Sequence, residues 1–161
     1  MDARYLLLLL FCSKVICEDC LIYSLEDGFN DTLSNEVGLC VGMISWNMGT
    51  YEGGPIYPPH PSTTKFMYPN INLSCVSSYH LPLSATGIVE VNLFMEPQSS
   101  TDQVSILINQ IVPDGNDAVV GNSWILATQE NFVRGWRTER ITLTGSGSYQ
   151  GYVSDLSDNI K

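Results

Sequence analysis

Hydrophobic and polar residues alternate most regularly across residues 87–96. Val89, Val91, Leu93 and Met95 fall on one face; Ile88, Glu90, Asn92, Phe94 and Glu96 fall on the other. A period of two, rich in β-branched side chains, predicts a half-buried strand. Residues 103–112 repeat the pattern, with Val104, Ile106 and Ile108 on one side. Shorter runs at 37–45, 73–81, 122–128, 135–144 and 149–153 predict further strands. Pro113-Asp-Gly-Asn-Asp117 and Gly145-Ser-Gly-Ser148 carry turn chemistry. Residues 47–64 read as one long loop rich in Pro and Gly, because successive prolines cannot donate to a sheet ladder. Only residues 24–36 suggest a helical turn, and Gly28 and Asn30 weigh against it. About seven strands with frequent turns predict an all-β fold, an antiparallel β-sandwich or jelly roll. No repeat or shift of composition divides the chain, so one domain is expected.

The N-terminus adds a compartment. Arg4 precedes an apolar run that includes five consecutive leucines, and small or uncharged residues follow as far as Cys17. A basic start, a brief apolar run and a small-residue cleavage point predict a secretory signal peptide at residues 1–17. The run is about half the length that spans a bilayer. Residues 18–161 are then the secreted domain, with no second apolar run and no hydrophobic tail for a lipid anchor. Asn30-Asp-Thr32 and Asn72-Leu-Ser74 match the glycosylation sequon, which predicts glycans at Asn30 and Asn72. An oxidising compartment favours disulfides. Cys40 and Cys75 sit in apolar, strand-like surroundings and are expected to pair. Cys20 is left over, a free thiol or one half of an intermolecular bridge.

Charge narrows the partners. The chain holds 7 Lys and Arg against 17 Asp and Glu, a net charge of −10. Removing the leader takes away Arg4, Lys14 and Asp2 and leaves the secreted part still more acidic. Such a surface repels phosphate backbones and anionic lipid heads, so nucleic acid and membrane docking are not expected.

The order of landmarks is distinctive. Glu26-Asp-Gly-Phe29 comes early; Leu39-Cys40 and Trp46 follow. Then come Met67-Tyr-Pro-Asn70, Leu73-Ser-Cys75 and Val89-Glu-Val-Asn-Leu93. Gly135-Trp-Arg137 leads into Ile141-Thr-Leu143, and Tyr149-Gln-Gly-Tyr152 closes the set. This order resembles a MAM domain, an extracellular jelly-roll module of adhesion receptors and membrane-anchored proteases. The resemblance implies adhesion, self-association or ligand presentation, with no cofactor and no catalysis. The family normally has more cysteines and closes on a strand ending in paired aspartates. Asp158-Asn159-Ile160 stands close behind the preceding strand, as in a divergent or C-terminally shortened relative with an open sheet edge.

Four chemistries are worth weighing. Asp114, Asn116 and Asp117 place three oxygen side chains within four residues, a candidate calcium site, with Asp102 ahead of the preceding strand. Calcium needs six to eight oxygen ligands, and Asp-Gly is also a common hairpin turn, so a plain turn is the stronger reading. Glu90 and Glu96 share a strand face but lie roughly 20 Å apart at 3.3 Å per residue, too far for paired-carboxylate glycoside hydrolysis. His60 and His80 have no oriented nucleophile, and no Gly-x-Ser-x-Gly elbow is present. Carbohydrate binding is the serious alternative. Trp46, Tyr51, Tyr57 and Tyr68 cluster around the long loop, and aromatic faces on a rigid rim suit sugar rings. Trp46 could instead pack in the core, as Trp124 and Trp136 are expected to do.

Overall fold

The computed structural model describes Ile22, Leu25–Asp27, residues 33–70 and residues 73–158. The expected leader, Cys20, and the sequon residues Asn30 and Asn72 lie outside the described residues. Strands run at β1 (Leu33–Ser34), β2 (Asn47–Thr50), β3 (Lys65–Tyr68), β4 (Ser74–Ser78) and β5 (Leu81–Ser84). They continue at β6 (Ile88–Met95), β7 (Gln103–Gln110), β8 (Ala118–Leu126), β9 (Gly135–Thr142) and β10 (Ser148–Asp158). The larger sheet has the order β1-β4-β10-β7-β8, and β5 pairs with β10 beyond the end of β4. Two further strand pairs, the β2–β3 hairpin and the long-range pair β6–β9, form the other sheets. Every named pairing is antiparallel. The chain is therefore all-β and antiparallel, as its periodicity predicts. These pairings go no further towards a jelly-roll winding.

Alternation sets the core. Val104, Ile106 and Ile108 of β7 point inward and meet Val76, Trp46, Ile125 and Ile141. Removing a full aliphatic side chain from water contributes about 1.5–3 kcal/mol, so this row dominates the sheet's stability. The partners on β6 are Val89, Val91, Leu93 and Met95, the face read from sequence.

Several expectations change. Residues 37–45 do not form a strand. Gly38–Cys40 is a 3₁₀ turn, with Gly38 at φ 62°, and only Ile44 bridges to Ser74. Gly38 has to be glycine on two grounds: its φ is left-handed, and a Cβ there would overlap the Tyr152 ring. The loop expected at 47–64 begins with a strand, because Asn47–Thr50 pairs with Lys65–Tyr68 in register. The expected strand at 73–81 is two strands, β4 and β5, separated by Tyr79 and His80. At that break the Ser78 hydroxyl accepts the Val153 N–H, at 3.0 Å. Trp124 is 60% exposed, not core, because Ile125 occupies the inward position opposite Val104. The last strand, expected at 149–153, runs from Ser148 through Asp158, between β4 and β7.

The expected Cys40–Cys75 disulfide is present, with both cysteines fully buried and Cα atoms 5.2 Å apart. It ties the 3₁₀ turn to β4, and the Ser77 hydroxyl donates to Cys40 Sγ at 3.1 Å. Buried serines also cross-link β4 to β10: Ser74 with Ser157 at 3.0 Å, and Ser77 with Ser154 at 2.8 Å.

Asp155 of β10 lies opposite Val76 and Ile106, on the core-facing side of the sheet. Burial pushes its carboxyl up to about 7, and its Oδ1 has no hydrogen-bond partner. The ionised form is therefore the costly one. The protonated group leaves stability intact below the unfolded value of 3.8. Stability then falls as pH rises, until the folded group has itself ionised above about 7.

Two outcomes are expected. Cys40→Ser should destabilise by about 3–4 kcal/mol in equilibrium urea unfolding, since a loop of this length is no longer closed; an unchanged midpoint would show that the bridge contributes nothing. Asp155→Asn should melt higher than wild type at pH 7.5, by the equivalent of a few kcal/mol, with the difference vanishing near pH 4. Equal melting temperatures at both pH values would contradict the buried-carboxyl account.

Candidate functional site

The β2–β3 hairpin and one end of the β6–β9 pair carry a continuous run of aromatic rings. The run begins with Phe66 and Tyr68, alternate residues of β3 that share a face. Their ring centroids are 5.9 Å apart. Opposite Phe66 stands Gly49, where any Cβ would crowd the Phe66 ring, at 2.8 Å from Cζ. Tyr51, just past β2, lies 4.8 Å from Phe66 and 6.3 Å from Trp136. Trp136 of β9 pairs across strands with Phe94 of β6, edge to face at 5.4 Å. All these separations fall in the range where aromatic pairs attract beyond simple burial, by about 0.5–1.5 kcal/mol each. The outer face of β6–β9 thus changes along its length. Glu90 pairs with Arg140 at 2.9 Å, Asn92 accepts from the Thr138 hydroxyl at 2.7 Å, and Phe94 meets Trp136.

The loop between β2 and β3 is held at base, tip and turns. At the base, the Tyr51 N–H donates to the Thr64 carbonyl at 3.0 Å. The Glu26 carboxylate accepts from the Thr64 N–H at 2.8 Å, the Thr64 hydroxyl and the Lys65 N–H. At the tip, the Trp136 indole N–H donates to the Tyr57 carbonyl at 2.7 Å. Gly54 closes a turn on Tyr51, and Thr63 closes one on His60. The Thr64 hydroxyl, followed by the backbone donors, lowers the Glu26 pKa below the usual glutamate value. This anchor is in place above the ordinary glutamate pKa and is lost as pH falls through the lowered one. Burial, and secondarily the Glu26 charge, raises the Tyr51 phenol, which stays a neutral donor at ordinary pH. Beneath Tyr51 a groove of about 390 Å³ is lined by Thr50, Tyr51, Glu52, Thr63 and Thr64.

The four aromatics expected at the loop separate. Tyr51 and Tyr68 belong to the ring run, and Tyr57 stands 84% exposed at the loop tip. Trp46 does not belong: it is 6% exposed and packed in the core, so it presents no face to a ligand. Phe66, Phe94 and Trp136 are members that the sequence reading missed. The outward parity of Phe94, beside Glu90 and Asn92, was the available signal.

The candidate calcium residues serve the fold. Asp114 takes a turn conformation at φ 58°. Asp117 accepts from Val112 N at 3.4 Å and from the Tyr152 hydroxyl at 2.8 Å. Burial and then Asp117 push the Tyr152 phenol up to about 12. Asp102 is buried and accepts the N–H groups of Gln98 and Ser99, organising the connection from β6 to β7. Among the described residues no group of three or more His, Cys, Asp or Glu is gathered to hold a metal ion. Among them, too, no helix is long and apolar enough to cross a membrane.

Comparison with family models, with curated proteins and with solved structures finds no match.

Trp136→Phe keeps the ring contacts and removes the indole donor. Backbone amides of residues 55–60 should then exchange faster in hydrogen–deuterium exchange, with a stability loss of about 1 kcal/mol or less. Unaltered exchange there would show that the tip is held by something else.

Proposed function

We propose that this chain is a secreted, non-catalytic binding or adhesion module. Its contact surface is the aromatic rim formed by Tyr68, Phe66, Tyr51 and Trp136, with Tyr57 at the loop tip. The observation that carries the reading is the fixed tip: Trp136 holds the backbone of Tyr57, which is 84% exposed, so a large ring is offered to solvent from an ordered loop. Ring-rich surfaces of this kind lose little side-chain entropy on binding and recur at recognition sites. The leader-like N-terminus and the sequons at Asn30 and Asn72 support export. The buried Cys40–Cys75 bridge is consistent with an oxidising compartment. The MAM-like landmark order supports adhesion, to another extracellular protein or to a second copy through Cys20. A catalytic reading has less behind it, since Glu90 and Asn92 are engaged in cross-strand pairs on the outer face.

Carbohydrate is the second reading, and one observation favours it: a groove whose lining combines the Tyr51 ring with threonines and Glu52.

Fluorescently labelled secreted protein should stain the surface of cells from a panel of tissues. Tyr57→Ala combined with Tyr68→Ala should weaken staining about tenfold or more, the loss expected when rings at a recognition centre are truncated, at an unchanged melting temperature. Full staining by the double variant would remove the rim from consideration.

A further inference from the structure

We propose that the groove beneath Tyr51 is a saccharide site selective for uncharged sugars, hexoses or N-acetylhexosamines, over sialylated, sulfated or uronic ones. This rests on the reading of the aromatic rim as the contact surface and names what that surface takes.

The lining supplies the two chemistries that a pyranose needs. A sugar ring has an apolar C–H face and an edge of hydroxyls. Tyr51 offers a ring for the face, steadied by tilted contacts with Phe66 and Trp136. Thr50 and Thr63 offer hydroxyls that can both donate and accept. Glu52 offers a carboxylate that accepts charge-assisted hydrogen bonds from sugar hydroxyls. The volume, about 390 Å³, lies towards the small end of ligand sites, which suits a short saccharide.

Charge then divides the sugars. Two carboxylates stand at the groove: Glu52 in its wall, and Glu26 bound to Thr64 and Lys65. Lys65 beside them turns its ammonium to the Glu26 carbonyl at 2.8 Å. The chain as a whole carries a net charge of −10. An anionic sugar entering here would meet like charge from the groove's own wall at Glu52. An uncharged one would meet only acceptors and hydroxyls.

Preorganisation makes the groove a site and not only a surface depression. Its Thr64 wall is fixed by Glu26, from the other end of a long stretch of chain. Its Tyr51 wall is fixed by the Thr64 carbonyl and by ring contacts. Little ordering remains to oppose binding.

The test is a glycan array probed with the intact secreted protein, multimerised on beads. It carries neutral hexose and N-acetylhexosamine oligosaccharides beside matched sialylated and sulfated forms. Wild type, Tyr57→Ala, Tyr51→Phe and Glu52→Gln are compared, each checked for an unchanged melting temperature. The expected result is binding to neutral saccharides, with the acidic partners weaker by about tenfold, the ratio that a 1.4 kcal/mol charge penalty produces. Glu52→Gln should weaken neutral binding several-fold and narrow that ratio. Preference for the acidic forms, or saccharide binding unaffected by Glu52→Gln, overturns the proposal. So does an array without hits. If the double variant Tyr57→Ala, Tyr68→Ala weakens cell-surface staining in that last case, the rim stands as a protein-contact surface. If staining also survives, both readings fall.

Discussion

The larger sheet depends on one strand. Ser148–Asp158 hydrogen-bonds along one side to β5 and then β4, and along the other to β7 over its final eight positions. Without it, β1–β4, β5 and β7–β8 would be separate pieces, each with an unpaired edge. Everything that steadies β10 therefore steadies the whole. The serine pairs with β4 act directly, and the Cys40–Cys75 bridge acts by holding β4 against the Gly38–Cys40 turn. The contacts are distant in sequence, so their chain-closure cost must be met before they contribute, which places this fold among the slower topologies. Asp155 sits within the same strand and works against it at neutral pH. The sheet tolerates a buried carboxyl because the surrounding pairings are numerous.

The aromatic rim has a different foundation. Among the described residues the hairpin that carries most of it shares no ladder with the larger sheet, and it is held by side chains from elsewhere: Glu26 at its base and Trp136 at its tip. A short two-stranded hairpin is marginal alone. Here it gains order from the β6–β9 pair, whose outer face ends in Phe94 and Trp136. The rigidity of the proposed contact surface is thus a tertiary property. It arises where two strand pairs meet and not within either of them.

Strands β6 and β7 were legible because each is a regular antiparallel element with one wet and one dry face, and the alternation of Val89–Met95 and Val104–Ile108 records that directly. Residues 37–45 misled because the backbone turns at Gly38 and forms no ladder, so that Cys40 alone of the run is buried while Leu39, Val41 and Ile44 stay exposed. Trp124 misled for a subtler reason. Adjacent residues of a strand face opposite ways, and of the apolar neighbours Trp124 and Ile125 it is Ile125 that takes the core side, opposite Val104. At the site, Tyr51, Tyr57 and Tyr68 could be found because a Pro/Gly loop with tyrosines has few other uses for them. Trp46 stood beside them in sequence but turns inward with Val76. Phe66, Phe94 and Trp136 join only through strand register and packing, which no local pattern reveals.

The close approach of Gly38 to Tyr152 has an implication for recognising relatives. Two positions more than a hundred residues apart share one space, so they cannot drift independently. A chain with any side chain at the first must shrink the ring at the second, and it must also relieve a left-handed backbone. Overall identity decays with divergence, whereas a steric exclusion of this kind does not. Distant homologues of this fold should therefore be traceable by a glycine two places before the first bridged cysteine, coupled to a bulky aromatic in the C-terminal strand, long after alignment of the full chains has lost its signal.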